Sequence, residues 1–118
     1  MTVISYRQAL HDTLRAELQR DENVFLIGEE IGVFEGSYKI TAGLLAEFGP
    51  RRVRDTPICE EGFTGVAIGA AMMGLRPVVS ARVTGRVVFV SVNQVLVRLW
   101  ACCQGGVVHN RFLRSREV

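Results

Sequence analysis

Four consecutive large apolar residues, Val24-Phe25-Leu26-Ile27, stopped by Gly28, constrain this chain more than any other feature in it. The run is too short for a helix of its own, and a strand with one wet face would alternate apolar with polar residues. A strand apolar on both sides must be covered on both sides, which is the condition of a parallel sheet clad by helices. The neighbouring segments supply the covering. Ser5-Tyr6-Arg7-Gln8 has the spacing of a capping box, and Leu10, Leu14 and Leu18 then recur every four residues, predicting an amphipathic helix over about 5–20.

Beyond Gly28, the stretch from Glu29 to Tyr38 contains Gly32 and Gly36 and reads as a loop at the strand's carboxyl end. A short helix is expected over about 40–48, closed by Gly49-Pro50, then a weak strand at Arg52-Val53-Arg54-Asp55. From Glu60 to Gly74 the chain is helical in pattern yet rich in small residues: Gly62, Gly65, Ala67, Gly69, Ala70 and Ala71. Each glycine costs a helix about 0.5–1 kcal/mol relative to alanine, so retaining them implies close backbone approach to a neighbour. Arg76-Pro77-Val78-Val79 reads as a third strand. The alternation implies an α/β fold, a parallel sheet with flanking helices built from βαβ units with right-handed crossovers. Residues 86–100 fit either a Val-rich strand pair or one helix ending at Trp100; Gln104-Gly105-Gly106 reads as a turn and 109–118 as a frayed basic end.

At 118 residues the chain has room for one small domain. Its charge divides sharply. Residues 1–80 carry eight bases against eleven acids, whereas 81–118 carry six arginines against Glu117 alone. The domain organisation expected is therefore an α/β unit over 1–80 and a divergent basic tail over 81–118. A basic arm for nucleic acid would interleave aromatics with its bases, and the three aromatics there, Phe89, Trp100 and Phe112, are too few and scattered, so no nucleic-acid partner is expected. The most apolar stretches, 62–75 and 87–101, fall short of the roughly 20 residues a membrane span needs. No signal peptide opens the chain, and three cysteines, Cys59, Cys102 and Cys103, form no even framework. A reducing, cytoplasmic setting without membrane attachment is the expectation.

Two acidic spots fall where α/β proteins bind ligands, beyond the carboxyl ends of strands. One is Gly28-Glu29-Glu30; the other runs Asp55-Thr56-Pro57-Ile58-Cys59-Glu60-Glu61-Gly62-Phe63. Thr56-Pro57 enforces an extended approach, so Glu60 and Glu61 fall at or beside the first turn of the small-residue helix. Position alone explains Glu60 as an acid favoured by the helix dipole, and Glu29 as a solvated loop acid. His11 is expected on the solvated side of the first helix, and Cys59 as a small core residue, with no histidine near it in sequence. His109 with Cys102 and Cys103 has no zinc spacing, so no metal site is expected. The 62–74 stretch lacks GxGxxG after a strand and is no dinucleotide fingerprint.

The wording of the region says more than either position. GEE after a strand, then GxYKxTxGL, then DTPIxExGFxGxAxGAAMxGLRPVV, together resemble the opening of 2-oxo acid dehydrogenase β subunits, above all those of pyruvate dehydrogenase. The resemblance runs from about Ser5 to Val79. It implies the pyrimidine-binding half of a thiamine diphosphate site, part of a transketolase-like fold. Glu60, by motif position, would contact N1′ of the aminopyrimidine, and Glu29 would lie near the active centre on an acidic proton path. A carboxyl shares a proton near neutral pH when apolar surroundings raise its pKa, and Ile58 and Phe63 are the candidates to supply them.

The resemblance further implies partners. Mg2+ and the diphosphate would be held by an α subunit through a GDG motif that this sequence lacks, and a lipoyl acyltransferase core would accept the acyl group made from a small 2-oxo acid. Tyr38-Lys39-Ile40-Thr41 leans toward pyruvate; branched-chain and acetoin-cleaving relatives read similarly. After Val79 the pattern departs: Ser80-Ala81-Arg82-Val83-Thr84 stands where the family has an acidic and aromatic stretch. Three accounts of this chain stay open: a short paralogue with a remodelled end, a gene altered by a frameshift, or a non-catalytic module that binds a subunit.

Overall fold

A computed structural model describes residues 4–83, 86–93 and 96–101, with side chains through residue 81. Helix α1 (Tyr6–Arg20) leads into strand β1 (Val24–Glu29), and a long loop leads to helix α2 (Leu44–Phe48) and strand β2 (Val53–Thr56). Helix α3 (Glu60–Met72) follows, then strands β3 (Arg76–Val83), β4 (Arg86–Asn93) and β5 (Leu96–Ala101). The sheet order is β2-β1-β3-β4-β5, with β1 central to a parallel trio. Strand β4 runs antiparallel to β3, and β5 antiparallel to β4. Residues 86–100 are thus a strand pair rather than a helix. The turn expected at 104–106 and the basic end at 109–118 lie outside the described residues.

The apolar run behaves as its pattern requires. Residues 24–28 are all buried, and successive side chains part to opposite faces as a strand's twofold period dictates. Val24 and Leu26 join Leu14 and Leu18 of α1, Leu44 of α2, and Ile31, Ile40 and Val53 in one cluster. Phe25 and Ile27 join Phe63, Ala67 and Ala71 of α3, with Val79, in the other. Each leucine or phenylalanine so buried contributes about 1.5–3 kcal/mol.

Helix α1 starts at Ser5, whose hydroxyl accepts from the Gln8 backbone N–H at 3.2 Å. Only half of the capping box forms, because the Gln8 amide donates instead to Asp12 at 2.8 Å. His11 is a correction. It is half-buried, and its Nδ1–H donates to the Ile40 carbonyl at 2.8 Å, tying α1 to the far end of the loop. The second helix is shorter than the expected 40–48, because Gly43 at φ 74° cannot be a helical residue and turns the chain first.

Arg52 locks α1 to the sheet. Its guanidinium donates to the carbonyls of Leu18, Asp21 and Val24, and its plane lies over the Phe48 ring. The glycines of α3 behave otherwise than expected. A Cβ added at Gly65 or Gly69 would meet nothing within 4 Å, so these residues face open space. It is Phe63, Ala67 and Ala71 that approach the sheet. The close approach is elsewhere: a Cβ on Gly28 would stand 2.1 Å from the Ser80 carbonyl oxygen of β3.

Candidate functional site

Strand β1 delivers Glu29 to the carboxyl edge of the sheet, where Glu29 pairs in register with Thr56 of β2. Beyond it the chain leaves the sheet through a loop that holds Glu30, Glu35 and Lys39 at positive φ. Non-glycine residues adopt that conformation only at a cost of roughly 1 kcal/mol or more each, so contacts must hold the loop in place. The Gly36 N–H donates to the Glu30 carbonyl at 2.8 Å, and the buried Thr41 hydroxyl to the Ile31 carbonyl at 2.6 Å. The Lys39 ammonium caps the Phe34 carbonyl at 2.6 Å.

Between this loop and the end of β3 opens a pocket whose walls include Glu29, Glu30, Ile31, Tyr38, Thr41 and Ser80. One carboxyl oxygen of Glu29 is shielded from solvent, and Ser80 is buried. Among the described residues, no lysine or arginine lines it. Carboxyl, hydroxyl and aliphatic groups without a base suit a neutral or weakly basic nitrogen ring better than a phosphate.

The second acidic spot sits on the same edge. Only Pro57, Ile58 and Cys59 separate Thr56, the register partner of Glu29, from Glu60 at the first position of α3. The Cys59 side chain makes no cap hydrogen bond, which leaves the first-turn acids Glu60 and Glu61 to complement the helix dipole. Burial separates these neighbours: Glu60 is half-buried and Glu61 exposed. Glu60 is not among the residues lining the Glu29 pocket.

The two apolar candidates part company. Phe63 is 4% exposed and packs on Phe25 and Ile27, so it holds α3 to the sheet. Ile58 is 81% exposed. Cys59 is exposed too, not a core residue, because the chain turns outward between Pro57 and the helix. With Ile58, the residues Val66, Ile68, Met72 and Met73 give α3 an uncovered apolar surface beside the open glycines. Tyr38, Thr41 and Ser80 were not singled out as pocket residues, since their sequence signal is a loop tyrosine and two hydroxyls without spacing. Asp55 carries no sequence signal of its own beyond its place in the DTPI wording, because its bonds reach 22 and 23 residues back along the chain.

Comparison with known proteins gives these positions a context. Residues 2–104 match the family model "Transketolase, pyrimidine binding domain". The chain is 57% identical over 76 residues to the "Pyruvate dehydrogenase E1 component subunit beta" of Rickettsia conorii, covering 64% of this chain and 23% of that protein. It is 54% identical over 79 residues to the protein of the same name from Rhizobium meliloti, covering 67% and 17%. With the mitochondrial subunit of Saccharomyces cerevisiae the identity is 55% over 76 residues, covering 64% and 21%. The chain thus spans about a fifth of the length of these relatives. The α/β character, matched span and motif wording agree, and the chain belongs to the transketolase-type pyrimidine-binding family, in the branch that resembles pyruvate dehydrogenase β subunits.

Proposed function

We propose that this chain forms the pyrimidine-facing part of a thiamine diphosphate site in a 2-oxo acid dehydrogenase acting on pyruvate, completed by an α subunit. The observation that carries the reading is the arrangement of Glu29 and Glu60 on one sheet edge, joined through the Glu29–Thr56 register. The names of the relatives support pyruvate as the substrate. When bound, the cofactor supplies an electron sink for the bonding pair left behind as carbon dioxide leaves the 2-oxo acid.

The residues of this chain act around that chemistry. Glu60, half-buried at the start of α3, would share a proton with the ring nitrogen N1′ and so set the tautomer of the aminopyrimidine. Glu29, with one oxygen out of solvent, stands ready in the pocket wall to pass a proton. Phe63 fixes the helix that carries Glu60, acting from beneath rather than as a wall of the site. Ile58 contributes apolar cover once a partner closes over it, and the bare face of α3 suits the same α subunit. A described lining without lysine or arginine supports leaving the diphosphate and Mg2+ to that subunit. Transfer of the acetyl group to a lipoyl acyltransferase core follows from the same reading.

The test is Glu60→Gln in the chain assembled with its α subunit. Loss of a positioned proton donor should lower the decarboxylation rate by about 10²–10⁴-fold with the subunits still associated. Full activity in that variant would end the assignment. Co-purification without any thiamine diphosphate binding would favour a non-catalytic subunit-binding module.

A further inference from the structure

Asp55 spends its whole carboxylate on a neighbouring loop. Oδ1 accepts from the Gly32 backbone N–H at 2.6 Å, and Oδ2 from the Val33 N–H at 2.9 Å. We infer that Asp55 is a positioning residue: it clamps the loop after β1 to the end of β2 and thereby sets the orientation of Glu29 and Glu30 in the pocket. The inference rests on the functional reading above, since it assigns those carboxyls work to do.

Three observations converge on it. Asp55 pairs in register with Gly28, so the clamp grips the chain just past the residues it would orient. Gly32 is buried, and a Cβ there would lie 2.8 Å from Asp55 Oδ2, which shows how closely the loop backbone is drawn onto the carboxylate. The loop itself holds three non-glycine residues at positive φ, a conformation that such residues do not keep unaided. Its internal bonds, from Gly36 to Glu30 and from Thr41 to Ile31, shape the loop without attaching it to β2. His11 anchors the opposite end on α1. The Asp55 carboxylate bonds the loop to β2 through two side-chain hydrogen bonds.

An ionised carboxylate accepting two backbone N–H groups makes two charge-assisted bonds. Asparagine at this position retains one acceptor oxygen and turns an N–H₂ group toward the second donor. The two substitutions therefore differ in a defined way. Asp55→Ala removes both bonds, and Asp55→Asn removes one.

The experiment compares both variants with the parent in the enzyme assembled with its α subunit, using pyruvate and saturating thiamine diphosphate with Mg2+. Amide hydrogen exchange reads the clamp, and steady-state kinetics reads its consequence. Asp55→Ala should speed exchange at Gly32 and Val33 at least tenfold and lower kcat about tenfold, with KM for pyruvate changed less than twofold. Asp55→Asn should recover at least a third of the parent kcat and protect one of the two amides. Should Asp55→Ala fail to assemble, Asp55→Asn carries the test alone, with one unprotected amide and a kcat reduced two- to threefold. Unchanged protection at both amides overturns the clamp, and lost protection with unchanged kcat overturns the positioning role. The two readings fail separately: full activity in Glu60→Gln would end the functional assignment, whereas the exchange rates at Gly32 and Val33 would still report on Asp55.

Discussion

Replacing Gly28 with alanine should destabilise this chain, although the same change elsewhere in it should do the reverse. The new methyl would start 2.1 Å from the Ser80 backbone oxygen, where real Cβ atoms essentially never come nearer than 3.0 Å. Ordinary contact begins at 3.4 Å, so β1 and β3 must separate by about an ångström at a point where five register pairs, Val24↔Arg76 to Gly28↔Ser80, hold them. Overpacking of this kind costs about 3 kcal/mol at the upper end of its usual range, because the opposing atom is backbone and has no rotamer to escape into. The substitution also removes unfolded-state freedom worth about 0.4–1 kcal/mol in the other direction. The net expectation is a loss of about 2 kcal/mol, or roughly 8 °C in melting temperature for a domain of this size. Gly69→Ala is the control. Its Cβ would meet nothing within 4 Å on α3, so it should stabilise by about 0.5–1 kcal/mol. Urea unfolding followed by circular dichroism, with the slope checked for constancy, measures both. A Gly28→Ala midpoint equal to or above the parent value would refute the rigidity assigned to the β1–β3 contact.

Arg52→Lys should cost about 2 kcal/mol in the same urea assay, because a single ammonium cannot reproduce the fork that bonds the Leu18, Asp21 and Val24 carbonyls. A loss below about 0.5 kcal/mol would show those bonds to be replaceable by water. Stability should also fall in acid. The hydrogen bond from Arg15 holds the Glu47 carboxyl below its ordinary pKa, and the backbone N–H of Asn23 does the same for Asp21. Both groups bind protons more weakly when folded, so their contribution is present above the unfolded value near about 4 and is lost as pH falls through the lower folded value. Unfolding midpoints measured from pH 6 to pH 3 should decline, and Glu47→Gln should make that decline shallower. Glu47 is exposed and Asp21 half-buried, so salt should weaken the Glu47 contribution more than that of Asp21.

Much of the site was legible in order along the chain. The continuous run at 24–27 demanded a strand covered on both faces, and the alternation of its side chains between two clusters meets that demand. Thr56-Pro57 marked the extended entry that brings Glu60 to the head of α3. Other residues could not be read this way. His11 looked solvated because the helix period shows only which face is polar, not that the Ile40 carbonyl lies 29 positions away to receive it. The glycines of α3 looked like contact points, yet the helix turns Gly65 and Gly69 outward and packs Phe63 and the alanines inward. Cys59 looked like core and Ile58 like an apolar wall around the site carboxyl, and the outward turn after Pro57 left both exposed.

The amino-acid order by itself determined the α/β character, the positions of the central strand and of α3, and the motif that identifies the family. It did so because apolar periodicity, glycine and proline act over a few residues. Which strands flank β1, which residues wall the pocket at the strands' carboxyl ends, and which carboxylate serves the loop were decided only by tertiary structure. Asp55 meets Gly32 and Val33 across more than twenty residues of chain. Contacts at that range depend on two buried faces packing at once, which no local pattern encodes.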